Sequence, residues 1–190
     1  MRTLMMIVAA AAALGFATQH TPRAQASEMA VESPFTDALI QDVATLESKL
    51  VSLAEAMPAE ALAWRPAEGV LSGSEVLMHI AAYNYYYPSM AGATIPAEVG
   101  VTSDYATVSA FENTERSHEE MLTALQASFD HLNAAVAAVT PERLDDDTEV
   151  FGRSTTVQAA WFGTITHIHE HLGQLIAYAR SNGVTPPWSM

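Results

Sequence analysis

The apolar residues of this chain recur every three or four positions in four separate stretches, and this spacing constrains the fold more than any other feature. Residues at positions i, i+3, i+4 and i+7 lie on one face of an α-helix. In the first stretch Leu39, Val43, Leu46 and Leu50 carry the pattern. No run of useful length alternates apolar and polar residues as a strand does. We therefore predict an all-α fold, a four-helix bundle with helices over residues 34–57, 72–87, 113–139 and 155–181.

The predicted helix ends coincide with residues that start or stop helices. Ser33 is a good cap, Pro34 fits the first helical turn, and Pro58 stops the first helix. Ser72 and Glu75 have the spacing of a capping box, in which each side chain accepts a hydrogen bond from the other residue's backbone amide. These signals indicate where the first two helices begin.

Segment 89–111 is the least regular part of the chain, with glycines, Pro96 and small polar residues. It is longer than an ordinary connection. We expect either a crossover connection between helices two and three or a lid over a site. The connector 59–70 is expected to pack across one end of the bundle, and residues 144–152 to form an acidic turn.

The first 26 residues have the pattern of a secretory signal peptide. Arg2 gives a positive start, residues 4–16 form an apolar run, and Ala24-Gln25-Ala26 offers a small-x-small cleavage site. The run is too short to span a membrane, which takes about 20 apolar residues. An uncleaved interfacial anchor is the alternative. We predict cleavage before Ser27, a single domain over residues 27–190, no stable membrane anchor, and export to the periplasm or the exterior.

Charge and composition exclude several kinds of partner and site. The net charge is −14, and residues 1–26 hold two of the arginines and no acid, so the remaining domain is more acidic still. Such a surface repels phosphate backbones and anionic headgroups, which argues against nucleic acid as a partner. Because the chain has no cysteine, any metal must be bound by histidine, carboxylate or water.

His167 and His171 are four residues apart on the fourth predicted helix. They lie about 40° apart around the helix axis, so both imidazoles can reach one ion. Gln174 and Tyr178 continue the same polar stripe, and Glu170 lies about 60° to one side. The histidines are therefore a candidate pair of metal ligands, and the alternative is an exposed helix face that binds nothing.

The second predicted helix carries a group of tyrosines around His79. Tyr83 and Tyr86 flank the direction of His79, and aromatic rings with hydroxyl tips are a plausible lining for a small-molecule pocket. We interpret Tyr85 and Tyr87 as ordinary bundle residues with their hydroxyls at the surface.

Three other histidines are expected to lie outside any metal site. His169 points roughly 200° away from His167 around the helix, so the two cannot share an ion. His118 and His131 are thirteen residues apart on the third predicted helix, too far to act together. We expect both on a solvated face.

Two segments resemble a known family. HIHEHLGQLIAYARSNGVTPPWS, at 167–189, resembles the last helix and tail of the DinB-like family of metal-binding four-helix bundles. WRPAEGVLSGSEVLMHIAAYN, at 64–84, resembles its second signature, in which a histidine of helix two is a ligand. In helix order and spacing the resemblance covers about residues 35–189.

The resemblance implies a metal site and a range of activities. It implies that His79, His167 and His171 bind one divalent ion, zinc, nickel or iron, and leave positions for water or substrate. Some family members transfer low-molecular-weight thiols, and others isomerise or hydrolyse small molecules. Related folds often form homodimers, which makes a homodimer an expectation for this chain as well.

Further residues have candidate roles around such a site. Each ligand ring needs an acceptor for its second nitrogen. Glu75, one turn before His79, and Glu170, beside His171, are candidates for this role or for proton transfer, and helix capping is the stronger interpretation of Glu75. We take Glu170 and Tyr83 as candidate catalytic residues.

Three functions are compatible with these features. Three protein ligands leave an open side, which is typical of catalytic metal sites. The favoured hypothesis is therefore an exported metal-dependent hydrolase or transferase that acts on a small molecule. The alternatives are a non-catalytic periplasmic protein that binds a metal or a ligand, and a purely structural ion that joins helices two and four. The fold alone does not choose among them.

Overall fold

The computed structural model describes residues 33–189, which are largely helical. The predicted signal peptide, residues 1–26, lies outside the described residues. Within the described range, no helix is both long enough and apolar enough to cross a membrane. The helices and strands in chain order are α1 (Pro34–Ala56), α2 (Ala59–Ala63), α3 (Gly73–Met90), α4 (Tyr105–Glu112), α5 (His118–Ala137), β1 (Asp147–Val150), β2 (Arg153–Thr156) and α6 (Val157–Ser181).

Helices α1, α3, α5 and α6 form the bundle, and α1 and α3 each pack against both α5 and α6. Near the starts of α3 and α5, Met78 and Met121 line one cavity, and near their ends Ala91 and Ala138 line another. The two helices therefore run parallel, so the chain between them must return along the length of the bundle. The predicted all-α bundle, with a crossover between its second and third long helices, is confirmed.

The core is built from the apolar stripes of the four long helices. Leu46, Phe129 and Trp161 are among its largest fully buried side chains, and each such side chain stabilises the fold by about 1.5–3 kcal/mol. One polar pair lies inside, where the Asn84 amide donates to Ser128 Oγ at 3.0 Å and joins α3 to α5.

Two predicted helix limits were wrong. The third long helix begins at His118 rather than residue 113, because Ser117 and Glu120 form a capping box that starts it there. The second extends through Pro88 to Met90. A proline removes one backbone hydrogen bond, and here only the last helical turn follows, so little of the helix is disturbed.

The connections contain more regular structure than the sequence indicates. Segment 89–111 includes most of α4, and connector 59–70 includes α2. The acidic segment 144–152 contributes the first strand of a hairpin in which Asp147 pairs with Thr156 and Val150 with Arg153. Thr148 Oγ1 donates to the carbonyl oxygen of Met90 at 2.5 Å, which ties this hairpin to the end of α3.

Candidate metal centre

Three histidines from two helices meet in one cluster. His79 lies on α3, and His167 and His171 lie one turn apart on α6. The nitrogens that the three rings can offer to an ion all lie within 4.8 Å of one another. Nε2 of His79 lies 3.0 Å from Nε2 of His167. The structure thus brings together the three residues predicted as ligands.

The packing of the two helices fixes where these rings lie. Ile168 and Leu172 are buried in the core beside the two α6 histidines, and Ile80 is buried beside His79. Each histidine therefore sits at the border between the core and the surface, where its ring is partly buried. The cluster is a consequence of the same apolar stripes that form the bundle.

Burial favours the neutral form of two of these rings, those of His79 and His167. Burial, together with the neighbouring histidines, lowers the pKa of His167 to about 3. Burial also lowers the pKa of His79, although its hydrogen bond with Glu112 acts in the opposite direction. Neutral imidazoles are the form that binds metal ions.

The short distance between two neutral rings fits a divalent ion. Two nitrogens that each lie about 2.0–2.1 Å from one zinc ion are themselves roughly 3 Å apart. The 3.0 Å separation of the His79 and His167 Nε2 atoms matches this spacing. Imidazole also suits iron and nickel. The donor set and its spacing could therefore hold a divalent metal ion.

Glu112 holds the outer nitrogen of His79. Its Oε1 lies 2.6 Å from Nδ1 of His79, and both side chains are about four-fifths buried. Nδ1–H donates to the carboxylate, so the lone pair of Nε2 points towards the cluster. Glu112 is the last residue of α4, the helix within the crossover.

A directional chain of hydrogen bonds holds the outer nitrogen of His171. Nδ1 of His171 donates to Oε1 of Gln174 at 2.9 Å, the Gln174 amide donates to the Tyr178 hydroxyl at 2.8 Å, and that hydroxyl donates to the Leu71 carbonyl at 3.1 Å. We call these four residues the His171 relay. It leaves Nε2 of His171 free for an ion.

His167 has no comparable anchor in the described part of the chain. Its Nδ1 is buried without a hydrogen-bond partner there. Aromatic rings hold it instead, with the Tyr83 and Tyr87 centroids 4.8 and 5.0 Å from its own. Its orientation therefore rests on packing.

Tyrosines form one wall of the cluster. Tyr83, a predicted catalytic residue, lies with its ring 4.3 Å from that of His79, and Tyr86 lies 5.8 Å further along. Burial and the neighbouring Tyr105 hydroxyl raise the pKa of Tyr83, so its phenol stays protonated and can donate a hydrogen bond.

Tyr85 and Tyr87, predicted to be ordinary bundle residues with their hydroxyls at the surface, both pack their rings against histidines. Tyr85 is only 4% exposed, and its ring packs 4.9 Å from that of His131. Tyr87 is half-buried and contacts His167, so it belongs to the wall of the cluster. Because tyrosines lie on several faces of α3, their rings contact residues of both α5 and α6.

Glu170, the second predicted catalytic residue, is exposed and has no hydrogen bond to a ligand within residues 33–189. The negative charge of Glu170 lies close enough to His79 to favour the protonated form of that ring. This charge therefore opposes the lowering of the His79 pKa by burial. Glu75 instead completes the capping box with Ser72 and pairs with Arg65 at 3.1 Å. Of the two acidic residues predicted near the site, Glu75 and Glu170, only Glu170 is therefore free of a capping role beside the cluster.

The other histidines lie apart from the cluster. His169 is exposed and pairs with Asp42 of α1 at 2.9 Å. The solvated face predicted for His118 and His131 was wrong, because both are half-buried, and Nε2 of each is buried without a partner in the described residues. The packing of other side chains over α5 covers them.

Sequence reasoning missed Glu112. The only signal was general, since every ligand ring needs an acceptor. Glu112 lies 33 residues beyond His79, just after the segment 89–111 that was predicted to be irregular, and the chain has many acidic residues. Glu112 reaches His79 only because the crossover brings the end of α4 next to α3.

Fold and site together define a class of protein, an all-α bundle with a three-histidine cluster that could hold a metal ion. The chain belongs to the DinB superfamily, whose family model matches residues 43–175. The resemblance seen in the two sequence segments is therefore confirmed.

Solved structures share the fold. A DinB-like protein from Bacillus subtilis is 23% identical with a TM-score of 0.59, and the match covers 78% of this chain and 93% of that one. One from Bacillus cereus is 20% identical with a TM-score of 0.66, covering 80% and 95%. A mycothiol-dependent maleylpyruvate isomerase is 12% identical with a TM-score of 0.56, covering 76% and 63%. No curated protein matches the chain. At these identities the structures establish the fold alone.

Proposed function

We propose that this protein binds one divalent ion, zinc, nickel or iron, through His79, His167 and His171, and acts as a hydrolase or transferase on a small molecule. The observation that carries the proposal is the 3.0 Å approach of two imidazole nitrogens, in a cluster whose rings are anchored from outside by Glu112 and Gln174. A bound ion supplies Lewis acidity and makes a coordinated water more acidic.

The anchored rings support a site built before the ion arrives. Without a cation, two neutral nitrogens at this distance can share only one proton. A bound cation would use both lone pairs, and the Nδ1 protons of His79 and His171 already have acceptors. Metal-binding histidines usually have such an acceptor for the ring nitrogen that does not bind the metal.

Tyr83 and Glu170 supply the proton chemistry in this proposal. The protonated phenol of Tyr83 donates a hydrogen bond to an oxygen of the substrate. In a hydrolysis, water adds to the electrophilic carbon, and Glu170 takes the proton that the water loses. The same proton passes to the leaving group as its bond to carbon breaks, which returns Glu170 to its starting state.

The reaction class rests on the site rather than on the relatives. One structural neighbour is a mycothiol-dependent isomerase, but its low identity supports no transfer of that activity. Three protein ligands from two helices leave room for substrate, and this favours catalysis over a purely structural ion.

We further propose that the protein works outside the cytoplasm, as a homodimer and with a small molecule rather than nucleic acid as its partner. The support for export is the pattern of residues 1–26. N-terminal sequencing of protein recovered from the periplasm or the medium should begin at Ser27. Recovery of the intact N-terminus in the cytoplasm would contradict export.

Elemental analysis of protein purified without a metal-affinity tag tests the metal site. We expect a stoichiometric divalent metal in the wild type and its loss in both His79→Ala and His171→Ala. His169→Ala is the matched control, because this neighbouring histidine faces Asp42, and it should retain the metal. Retention in both ligand variants would refute the site.

A substrate screen tests the activity. The metal-loaded protein is assayed with esters, amides and thiol adducts, and turnover should disappear on chelation and return when the metal is restored. Tyr83→Phe should lower kcat without loss of metal, since it removes only the hydroxyl. Stoichiometric metal with no turnover across the screen would favour the non-catalytic alternative and contradict the proposed reaction.

A further inference from the structure

A cavity of about 360 Å³ lies where α3 and α5 end and α6 begins. None of the three candidate ligand histidines lines it, so it is separate from the cluster. Its polar groups come from different parts of the chain, and alanine is the commonest residue in its walls. The residues that matter to its chemistry are Gly92, His131, Ala135, Arg143, Val157 and Trp161.

Arg143 offers a free cationic fork at this cavity. Its Nε donates to Asp146 at 3.1 Å, while Nη1 and Nη2 have no hydrogen-bond partner among the described residues. Both terminal nitrogens face Gly92, where an added Cβ would lie 3.7 Å from Nη2 and 3.8 Å from Nη1. Gly92 has a φ of +94°, so backbone strain disfavours a side chain there, whereas an added Cβ would make only ordinary van der Waals contact with the guanidinium.

His131 adds a buried polar nitrogen without a partner. Its ring packs against Tyr85, and its Nε2 has no hydrogen-bond partner within residues 33–189. Burial lowers the pKa of His131, so the ring is neutral near pH 7, and in one tautomer Nε2 carries a proton to donate. A buried polar group without a hydrogen-bond partner destabilises the folded protein. An acceptor atom supplied by a ligand would remove this cost.

We propose that this cavity is a binding site for a small monocarboxylate with an apolar body. The Nη1 and Nη2 groups of Arg143 bind the carboxylate through two parallel hydrogen bonds. The buried Nε2–H of His131 donates to an acceptor oxygen of the same ligand after a shift of the ring towards the cavity. Ala135, Val157 and Trp161 surround its carbon skeleton.

Size and charge favour this ligand class over others. The volume is within the range of small-molecule pockets. Arg143 is the one cationic side chain among the lining residues in the described range, and its charge is partly offset by Asp146. One partly neutralised guanidinium matches a monoanion, whereas a phosphate of higher charge would lack donors. The cavity contains no residue of the histidine cluster, so ligand binding there is independent of the proposed function.

Titration with benzoate, followed by NMR chemical shifts, tests the site. The indole N–H of Trp161, which lines the cavity, should show a saturable shift with benzoate and none with benzyl alcohol, which lacks the charge. Arg143→Gln should weaken binding about tenfold or more, as expected when a charge-assisted pair is lost. His131→Phe keeps the ring shape against Tyr85 and should also weaken binding.

Two further variants separate this site from its alternatives. Arg153→Gln removes an arginine that does not line the cavity and should leave affinity unchanged. His79→Ala should also leave it unchanged, because the ligand does not sit at the metal. Equal affinity in folded Arg143→Gln, equal binding of benzyl alcohol, or loss of binding in folded His79→Ala would each overturn the proposal, as would the absence of a saturable shift.

Discussion

Glu112 acts on the cluster through a single atom pair, its Oε1 and the Nδ1 of His79, 2.6 Å apart. This contact sets which nitrogen of the ring carries the proton and makes the other nitrogen a better donor to a metal. A ring without the acceptor would be free to rotate or to adopt the other tautomer. The carboxylate therefore positions His79 rather than reacting itself.

Replacement of Glu112 should weaken metal binding without unfolding the protein. We expect Glu112→Ala to lower zinc affinity about 10–100-fold, and Glu112→Gln to lower it less, since the amide oxygen still accepts from Nδ1. Competition with a chromophoric chelator measures the change. Glu115→Ala, an exposed neighbour, is the control. Equal affinity in Glu112→Ala and the control would show that the contact has no positioning role.

His131 should make stability depend on pH near neutrality. Because burial lowers its folded-state pKa below the unfolded value near 6.5, the unfolded chain binds the extra proton first. The contribution of His131 to the free energy of unfolding is complete above pH 6.5. As the pH falls below that value, this contribution is lost by at most about 1.4 kcal/mol per pH unit.

Urea denaturation at pH 7, 6 and 5 measures this effect. The free energy of unfolding should fall less steeply for His131→Gln than for the wild type. Buffers without carboxylate avoid ligands of the cavity beside His131. Parallel decreases in the two proteins would contradict the burial of this ring.

At the scale of the helices, short capping motifs decide where α5 begins. Ser117 Oγ accepts from the Glu120 amide at 3.3 Å, and the Ser117 amide donates to the Glu120 carboxylate at 2.7 Å. The helix thus starts at His118 and leaves residues 113–116 to end the crossover.

Loss of this cap should destabilise the bundle modestly. Ser117→Ala removes the acceptor for one amide of the first turn and should lower Tm by about 2–4 °C. Thr123→Ala is the control, because Thr123 is an exposed mid-helix residue whose hydroxyl bonds only to its own helix. If calorimetry shows the same Tm for both variants, the cap does not stabilise the helix.

The sequence predicts the four long helices because each buries one stripe. Leu46 and Phe129 recur in such stripes and are fully buried, so the period alone identifies their helices. Helix α4 and strand β1 span eight and four residues, too few for a period to stand out. Their positions depend on contacts with distant parts of the chain, such as Thr148 with Met90.

In the candidate site too, the sequence shows the local features but not those that depend on contacts between distant parts of the chain. The spacing of His167 and His171 is local and visible in the sequence, whereas the partner helix with His79 came from resemblance to a family. Glu112 and the burial of His131 depend on how α4 and α5 pack. Tertiary contacts of this kind leave no periodic mark.

At the scale of the whole molecule, an ion in the cluster would join α3 to α6. Because it binds only the folded chain, zinc at 100 times its dissociation constant should stabilise the protein by about 2.7 kcal/mol. The predicted result is a rise in Tm for the wild type and for His169→Ala. No rise should occur for His79→Ala. An equal rise in His79→Ala would place the zinc elsewhere.

The His171 relay has a consequence for which mutations can damage the cluster. It ends at the main-chain carbonyl of Leu71, which any amino acid at that position would supply. Apart from His171 itself, the relay therefore depends on only two side chains, those of Gln174 and Tyr178. Its longest step, from Tyr178 to Leu71, joins residues that are 107 positions apart in the sequence. Substitutions at residue 71 that preserve the backbone should leave the orientation of the His171 ring intact.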